Sequence, residues 1–357
     1  MKKYFLVILL LFCFFNGCES KGLNGKEKAS NIDITSLGKD IIAYIDNGEF
    51  SGCILLGDGY GEAIYSYCYG NASKEYNVKN TLDTKFNIAS VGKMITGIAI
   101  SILIEEGKIN PSEFVSKYLN LKNSIFEQIT VQQLLTHTSG LGDYFLQVFS
   151  SPYLKSYENL DDYIEIVENA SIEFIPGEKW AYSNMGYLVL GLIIESITGM
   201  SYRSYIEEKI FIPANMRDSG FWLYDEIIYN RATGYAFDNQ FELWRSRTVM
   251  PVLRGTSSGG WYSTVNDLSN FMNSILRNKI INEYYVEIAI TPKPEINSPN
   301  YGYGFFVTDK KISHGGNGMG ISSQVTYYKL KGYTLVILCN YPSGSKEIEK
   351  IFDKYLL

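Results

Sequence analysis

The feature that most constrains this chain is where its strand-like segments fall. Phe50 to Leu56 and Ala63 to Tyr69 read as two strands joined by the Gly57-Asp58-Gly59-Tyr60-Gly61 turn, while Tyr303 to Val307, Ser323 to Leu330 and Tyr333 to Cys339 read as three more near the other end. Between them, over roughly residues 90 to 290, helical spacing dominates: Val91 to Glu106, Val131 to Leu135, Leu160 to Glu168, Met185 to Ile197, Tyr202 to Ile210 and Asp267 to Leu276. Thr264 and Asp267 make a capping-box pair for the last of these. Leu37, Ile41, Tyr44 and Ile45 mark a helix before the first strand, and Ile348, Ile351, Phe352 and Tyr355 mark one after the last. The expectation is an α/β (α+β) architecture, a five-stranded antiparallel sheet flanked by terminal helices. Its α/β lobe takes about 36–89 and 291–357, and a large helical insertion takes about 90–290. No linker-like segment divides the chain after its first thirty-odd residues, so one compact unit is expected.

The first residues read as an address. Met1-Lys2-Lys3 is basic, Tyr4 to Phe15 is an unbroken apolar run, and Asn16-Gly17-Cys18 follows at once. Twelve residues of helix span about 18 Å, short of the roughly 30 Å hydrocarbon core, so a cleaved signal (1–17) is preferred to a permanent span. Cys18, preceded by a small residue, resembles the lipid-bearing cysteine of a lipoprotein, although Phe15 and Asn16 depart from the usual lipobox. Residues 18–35 then read as a polar, flexible tether, and the expectation is an exported protein of the cell envelope held to a membrane by its lipid.

Composition narrows the function. A net charge of −6 lacks the clustered cations that phosphate backbones require, which argues against nucleic acid. The 29 Tyr suit a binding cleft, but Tyr, Asn, Ile and Lys are all frequent, and bias accounts for them more simply. With Cys13 removed and Cys18 lipidated, Cys53, Cys68 and Cys339 remain. Cys53 and Cys68 lie symmetrically about the first turn and can face one another across a hairpin; the preferred reading is that all three are small buried hydrophobes in strands. No cysteine pair has metal-ligand spacing and the only histidines, His137 and His314, are far apart in sequence, so neither metal nor cofactor is expected.

Ser90-Val91-Gly92-Lys93 opens the most apolar helix. A spacing of three puts the hydroxyl and the amine on one face; a buried lysine has a lowered pKa, and a helix N-terminus offers N–H groups to an oxyanion. This arrangement suits nucleophilic catalysis without a histidine base. Tyr182-Ser183-Asn184 follows a turn-rich approach and enters a buried helix; a phenol near the lysine can relay a proton, and an Asn amide can both donate to and accept from a substrate amide. His314-Gly315-Gly316 stands beside an expected strand, where the glycines admit a substrate backbone and the imidazole can meet a carboxylate.

In this order the motifs resemble the serine β-lactamase and penicillin-binding superfamily, in its branch of class C β-lactamases, D-Ala-D-Ala carboxypeptidases, D-aminopeptidases and related esterases. The resemblance covers residues 36–357. It rests on Ser90-x-x-Lys93, Tyr182-x-Asn184 and His314-Gly315-Gly316, joined by Leu134 to Leu141, Gly186-Tyr187-x-x-Leu190-Gly191 and Gly259 to Thr264. It implies a β-lactamase/transpeptidase-like fold in which Ser90 is acylated, Lys93 and Tyr182 share the base and acid work, and Asn184 holds the substrate amide. The N–H groups of Ser90 and Asn317 would form the oxyanion hole beside Gly316. The chain departs from classical β-lactamases where His314 replaces the lysine of Lys-Thr-Gly, which weakens permanent carboxylate recognition and favours a peptidase or esterase. His137 reads as structural, its ring bonding backbone in the Thr-Ser-Gly loop. Peptides ending in D-amino acids, small esters, and β-lactams as poor substrates or inhibitors are the candidate ligands, with peptidoglycan as a candidate partner. A Ser-His-Asp hydrolase is set aside for want of a nucleophile elbow. The rival readings are a penicillin- or peptidoglycan-binding sensor without turnover and a structural envelope lipoprotein.

Overall fold

The computed structural model describes residues 32–48, 50–150, 157–247 and 254–357. The expected signal, the Cys18 lipidation site and most of the tether lie outside the described residues. The tether ends earlier than expected, because the first helix begins at Ile34, capped by Asp33, whose carboxylate accepts from the Ser36 N–H at 3.0 Å. Five helices matter below: α1 (Ile34–Ile45), α2 (Gly92–Glu105), α3 (Asn184–Thr198), α4 (Val265–Leu276) and α5 (Ser345–Leu356).

One antiparallel sheet gathers both ends of the chain. Its strands are β1 (Gly52–Gly57), β2 (Ala63–Tyr69), β3 (Phe306–Val307), β4 (Lys311–Gly318), β5 (Ile321–Tyr328) and β6 (Tyr333–Cys339), in the order β2-β1-β6-β5-β4-β3. The join is β1 on β6, running from Gly52 opposite Cys339 to Gly57 opposite Thr334. Six strands therefore replace the expected five. The strand that sequence reasoning missed is β4, whose eight residues include three glycines and an asparagine, poor strand formers by themselves. It is extended because β5 pairs along its whole length and β3 pairs on its other side. His314-Gly315-Gly316 accordingly lies within a strand and not beside one.

Period-two alternation sorts the central strands between two cores. Cys53 and Leu55 of β1, with Val336 and Leu338 of β6, face the helical side. Ile54, Leu56, Leu335 and Ile337 face Leu37 and Ile41 of α1 and Ile348 and Phe352 of α5. Both faces being covered, β1 and β6 read as unbroken apolar runs. On the helical side α2 is buried from Gly92 through Leu103, packed by α3 and the helix Glu283–Ala289. It is buried on every side over that stretch, its few polar residues Lys93, Thr96 and Ser101 included.

Three local expectations change. Thr264 does cap α4, accepting from the Asp267 N–H at 3.1 Å, but Asp267 does not return the bond; its carboxylate accepts from the Asp218 N–H and the Ser219 hydroxyl. The segment after Phe221 includes a hairpin, Tyr235–Asp238 paired with Leu243–Ser246. Cys53 and Cys68 stand opposite one another in the β1–β2 register and form a disulfide, while Cys339 is free and buried. The expectation that all three are unpaired buried hydrophobes fails for Cys53 and Cys68, which the hairpin register brings face to face. Replacing both with Ser is expected to cost about 3 kcal/mol, the closure entropy of a loop of this length, with a sequence separation of 15. Denaturant melts should show the parent losing that increment on reduction and the double variant insensitive to reductant.

Candidate active site

The Ser90 turn is held from two sides. Ala89–Val91 forms a single 3-10 turn that runs into α2, and Ala89 sits at φ +46°, a left-handed conformation that costs a residue with a Cβ of the order of 1–3 kcal/mol. The surroundings fix it: the Asn87 side chain accepts from the Ala89 N–H at 2.9 Å, the Ala89 carbonyl accepts from the Gly260 N–H at 3.1 Å, and the Ser323 hydroxyl donates to the Ile88 carbonyl at 2.7 Å. Two glycines allow these approaches. Gly259, at φ +124°, would with a Cβ collide with the Ala89 carbonyl, and a Cβ on Gly316 would lie 2.7 Å from the Ile88 carbonyl and 2.8 Å from the Ala89 Cβ. Gly316 is therefore required by the protein's own turn, a correction to the expectation that it makes room for a substrate backbone.

Lys93, fully buried, points back at this turn. Its Nζ donates to Asn184 Oδ1 at 2.6 Å and to the Ser258 carbonyl at 2.7 Å, and lies 3.2 Å from Ser90 Oγ. The first two partners can only accept, so they take two N–H bonds, leaving the third position toward Ser90 for either an N–H or a lone pair. Burial lowers the Lys93 pKa to about 7, against the pull of the Asp143 carboxylate, which raises it. The ammonium also lies 4.9 Å from the Tyr182 ring centre.

Tyr182 and Asn184 reach the site through a bend fixed by His137. The His137 carbonyl accepts from the Ala181 N–H at 2.9 Å, and its Nδ1 accepts from the Ser183 N–H at 3.1 Å, so the ring bonds the Tyr182 segment and not its own loop. The ring is packed against those of Tyr182, Tyr187 and Tyr301, and burial holds its pKa well below the ordinary value. Ser183 caps α3, its hydroxyl accepting from the Gly186 N–H at 2.9 Å. The Tyr182 hydroxyl is buried with no partner at hydrogen-bonding geometry. Burial pushes its pKa upward, opposed by the nearby Ser90 hydroxyl, so the phenol is neutral near pH 7.

His314, expected to meet a carboxylate, has both ring nitrogens engaged inside the protein. Nδ1 lies 2.7 Å from the Gly315 carbonyl and must carry the proton, while Nε2 lies 3.0 Å from the Tyr301 hydroxyl and accepts from it. Burial, reinforced by the Lys93 charge, lowers its pKa to about 3. A neutral imidazole without a free N–H does not bind a carboxylate, and that expectation is not met.

Ser90, Tyr182, Asn184, His314 and Asn317 all line one cleft of about 770 Å³, and Lys93 lies buried behind Ser90. The Ala89–Val91 turn packs directly on β4, which places Asn317, opposite Ser322 in the register, on the same cleft as Ser90. Two contributors escaped sequence reasoning. Asp143 accepts from Asn184 Nδ2 at 2.5 Å; because a carboxylate only accepts, it orients the amide so that Oδ1 faces Lys93. The Ser258 carbonyl holds Lys93, and its side chain is fixed by the Tyr144 hydroxyl at 2.8 Å. Both stand one or two residues outside segments already singled out, Leu134 to Leu141 and Gly259 to Thr264. Sequence reasoning also passed over Gly255–Gly259, which does carry Gly-x-Ser-x-Gly spacing; it is no nucleophile elbow, because Ser257 is fully buried on a tight turn closed by a Thr256–Gly259 bridge, and no helix starts there.

Known proteins resemble this chain over most of its length. The Beta-lactamase family model matches residues 46–355. The teichoic acid D-alanine hydrolase of Staphylococcus aureus (strain MRSA252) is 31% identical over 328 residues, covering 89% of this chain and 77% of that protein. Penicillin-binding protein 4* of Bacillus subtilis (strain 168) is 29% identical over 313 residues, covering 82% and 68%. The crystal structure of a penicillin-binding protein from Bacillus halodurans superposes with a TM-score of 0.80 at 27% identity, over 88% of this chain and 98% of that one. With a Ser-x-x-Lys pair at the head of its buried central helix and a family match over nearly all its described length, the chain belongs to the Beta-lactamase family of serine hydrolases.

Proposed function

We propose that the chain hydrolyses D-amino-acid esters or amides of the cell envelope through a Ser90 acyl-enzyme, D-alanyl esters foremost, and that it does so outside the cell, anchored through a lipid on Cys18. The observation that carries the reading is the Lys93 amine, held by two acceptor-only groups with its third position aimed at Ser90 Oγ at 3.2 Å. The relative named teichoic acid D-alanine hydrolase supports a D-alanyl substrate. The basic start, apolar run and Cys18 of the sequence support export and anchoring.

Neutral Lys93 takes the Ser90 proton as Oγ bonds to the substrate carbonyl carbon. The oxyanion is received by the N–H groups of Ser90 and Asn317. Collapse breaks the bond to the leaving oxygen or nitrogen, which receives a proton from the neutral Tyr182 phenol, itself reprotonated from Lys93. Water then attacks the acyl-enzyme along the same route, its proton passing to Lys93 and the Ser90 oxygen recovering one as the acid departs. The raised pKa of Tyr182 favours a donor over a phenolate base, which supports Lys93 as the first proton acceptor.

Three outcomes test this reading. Intact-mass analysis after exposure to a fluorophosphonate should show one adduct on the parent and none on Ser90→Ala, with ester turnover falling at least about 10³-fold in the variant; a folded parent that takes no label would leave a binding protein in its place. Because only the neutral amine accepts a proton, kcat/KM on a D-alanyl ester should rise with pH through about 7 and level off above it, as the lowered Lys93 pKa requires. Removing the Asp143 charge removes the influence that raises that pKa, so Asp143→Asn should move the midpoint of the profile to lower pH while keeping an acceptor for Asn184. A profile that does not move would show Asp143 to be merely structural.

A further inference from the structure

The cleft has a charge pattern that the Ser90 motifs do not use. Tyr224, Met319 and Ile321 of its wall also line an adjacent recess of about 90 Å³, together with Tyr262, Arg231 and Arg247. Among the described residues no Asp or Glu lines the cleft or the recess, Asp143 standing behind Asn184, although the chain as a whole carries a charge of −6. Both arginines stand on backbone fixed by pairing. Lys85 and Arg231 form a parallel bridge, and the Arg247 N–H donates to the Gly234 carbonyl at 2.8 Å. Arg231 gives one Nη1 hydrogen to the Leu223 carbonyl at 2.9 Å and lies 5.6 Å from the Tyr262 ring centre. Among the described residues neither Arg231 nor Arg247 forms an ion pair, and Arg254, on the main cleft, has its Nε buried without a hydrogen-bond partner. A guanidinium cannot release its proton, so these charges persist in a partly closed, aromatic-walled space, where an anion would satisfy them with paired, charge-assisted bonds.

We propose that this recess is an anion subsite of the cleft, in which Arg231 and Arg247 together hold a phosphate or carboxylate carried by the substrate. The assignment rests on the Ser90 hydrolase reading above. It restores to the cleft an anion-binding function that His314 does not supply, at different residues and on a different wall.

Matched D-alanyl esters of glycerol, glycerol 3-phosphate and glyceric acid test it, being neutral, phosphate-bearing and carboxylate-bearing. One anionic ester should exceed the neutral ester in kcat/KM by about tenfold or more, as charge-assisted hydrogen bonds require, and which one it is identifies the anion. The R231Q/R247Q variant should lose that preference with the neutral rate unchanged. Should that variant not fold, Arg247→Gln alone, whose side chain makes no hydrogen bond among the described residues, should lose most of it. Equal rates on all three esters, or a preference that survives the substitutions, overturns the subsite. Neutral-ester turnover reports the Ser90 chemistry separately. If no ester is cleaved, the hydrolase reading fails, and calorimetric binding of glycerol 3-phosphate and glycerate to the parent decides the subsite. Binding that the arginine variants abolish supports it, and no binding, or binding that they leave intact, rejects it.

Discussion

An amine kept in a place that disfavours its charge governs the rest of this molecule. Lowering the Lys93 pKa from 10.5 to about 7 corresponds to roughly 5 kcal/mol against the ammonium, comparable with the whole stability of many domains. Such a group persists only where neighbours leave it no alternative. Asn184 Oδ1 and the Ser258 carbonyl do that, and each is itself held: the amide by Asp143 and the cap of α3, the carbonyl by the Tyr144–Ser258 bond and the turn beyond it. The central position of α2, packed on every side, supplies the burial. Protein stability and reactivity are thus opposed at one atom.

The glycines near Ser90 serve the same end by another route. A nucleophile turn with a left-handed alanine relaxes unless it is confined, and the confinement comes from backbone brought closer than a Cβ permits, on one side by Gly259 and on the other by Gly316 of β4. The motif letters around them record how tightly segments pack as much as what a ligand touches. His314 belongs to the same class. Its proton is committed to the Gly315 carbonyl and its lone pair to Tyr301, so it buttresses the strand beside the cleft.

Much of this was legible in the sequence because it is local or periodic. The hairpin at Ala63 to Tyr69, the apolar strand Tyr333 to Cys339, the helix over Val131 to Leu135 and the approach of Lys93 to Ser90 follow from spacing alone. What escaped depends on partners distant in sequence. β4 is a strand only through its neighbours, and Asp143 matters only once the chain brings it to Asn184; the Cys53–Cys68 bridge was legible as an alternative, and the hairpin register decides for it. The Thr264–Asp267 cap failed in half for the same reason, since tertiary donors at Asp218 and Ser219 claim the aspartate.

The seam between β1 and β6 has a consequence for how the protein comes into being. Gly52 and Cys339 lie side by side, so the middle of the sheet cannot form until Cys339 has been made. Pairings so distant close large loops and form slowly. Until then the chain holds a hairpin without a partner and a set of helices without a floor. The order in which this sheet is stitched keeps the domain open until β6 arrives to join its two halves.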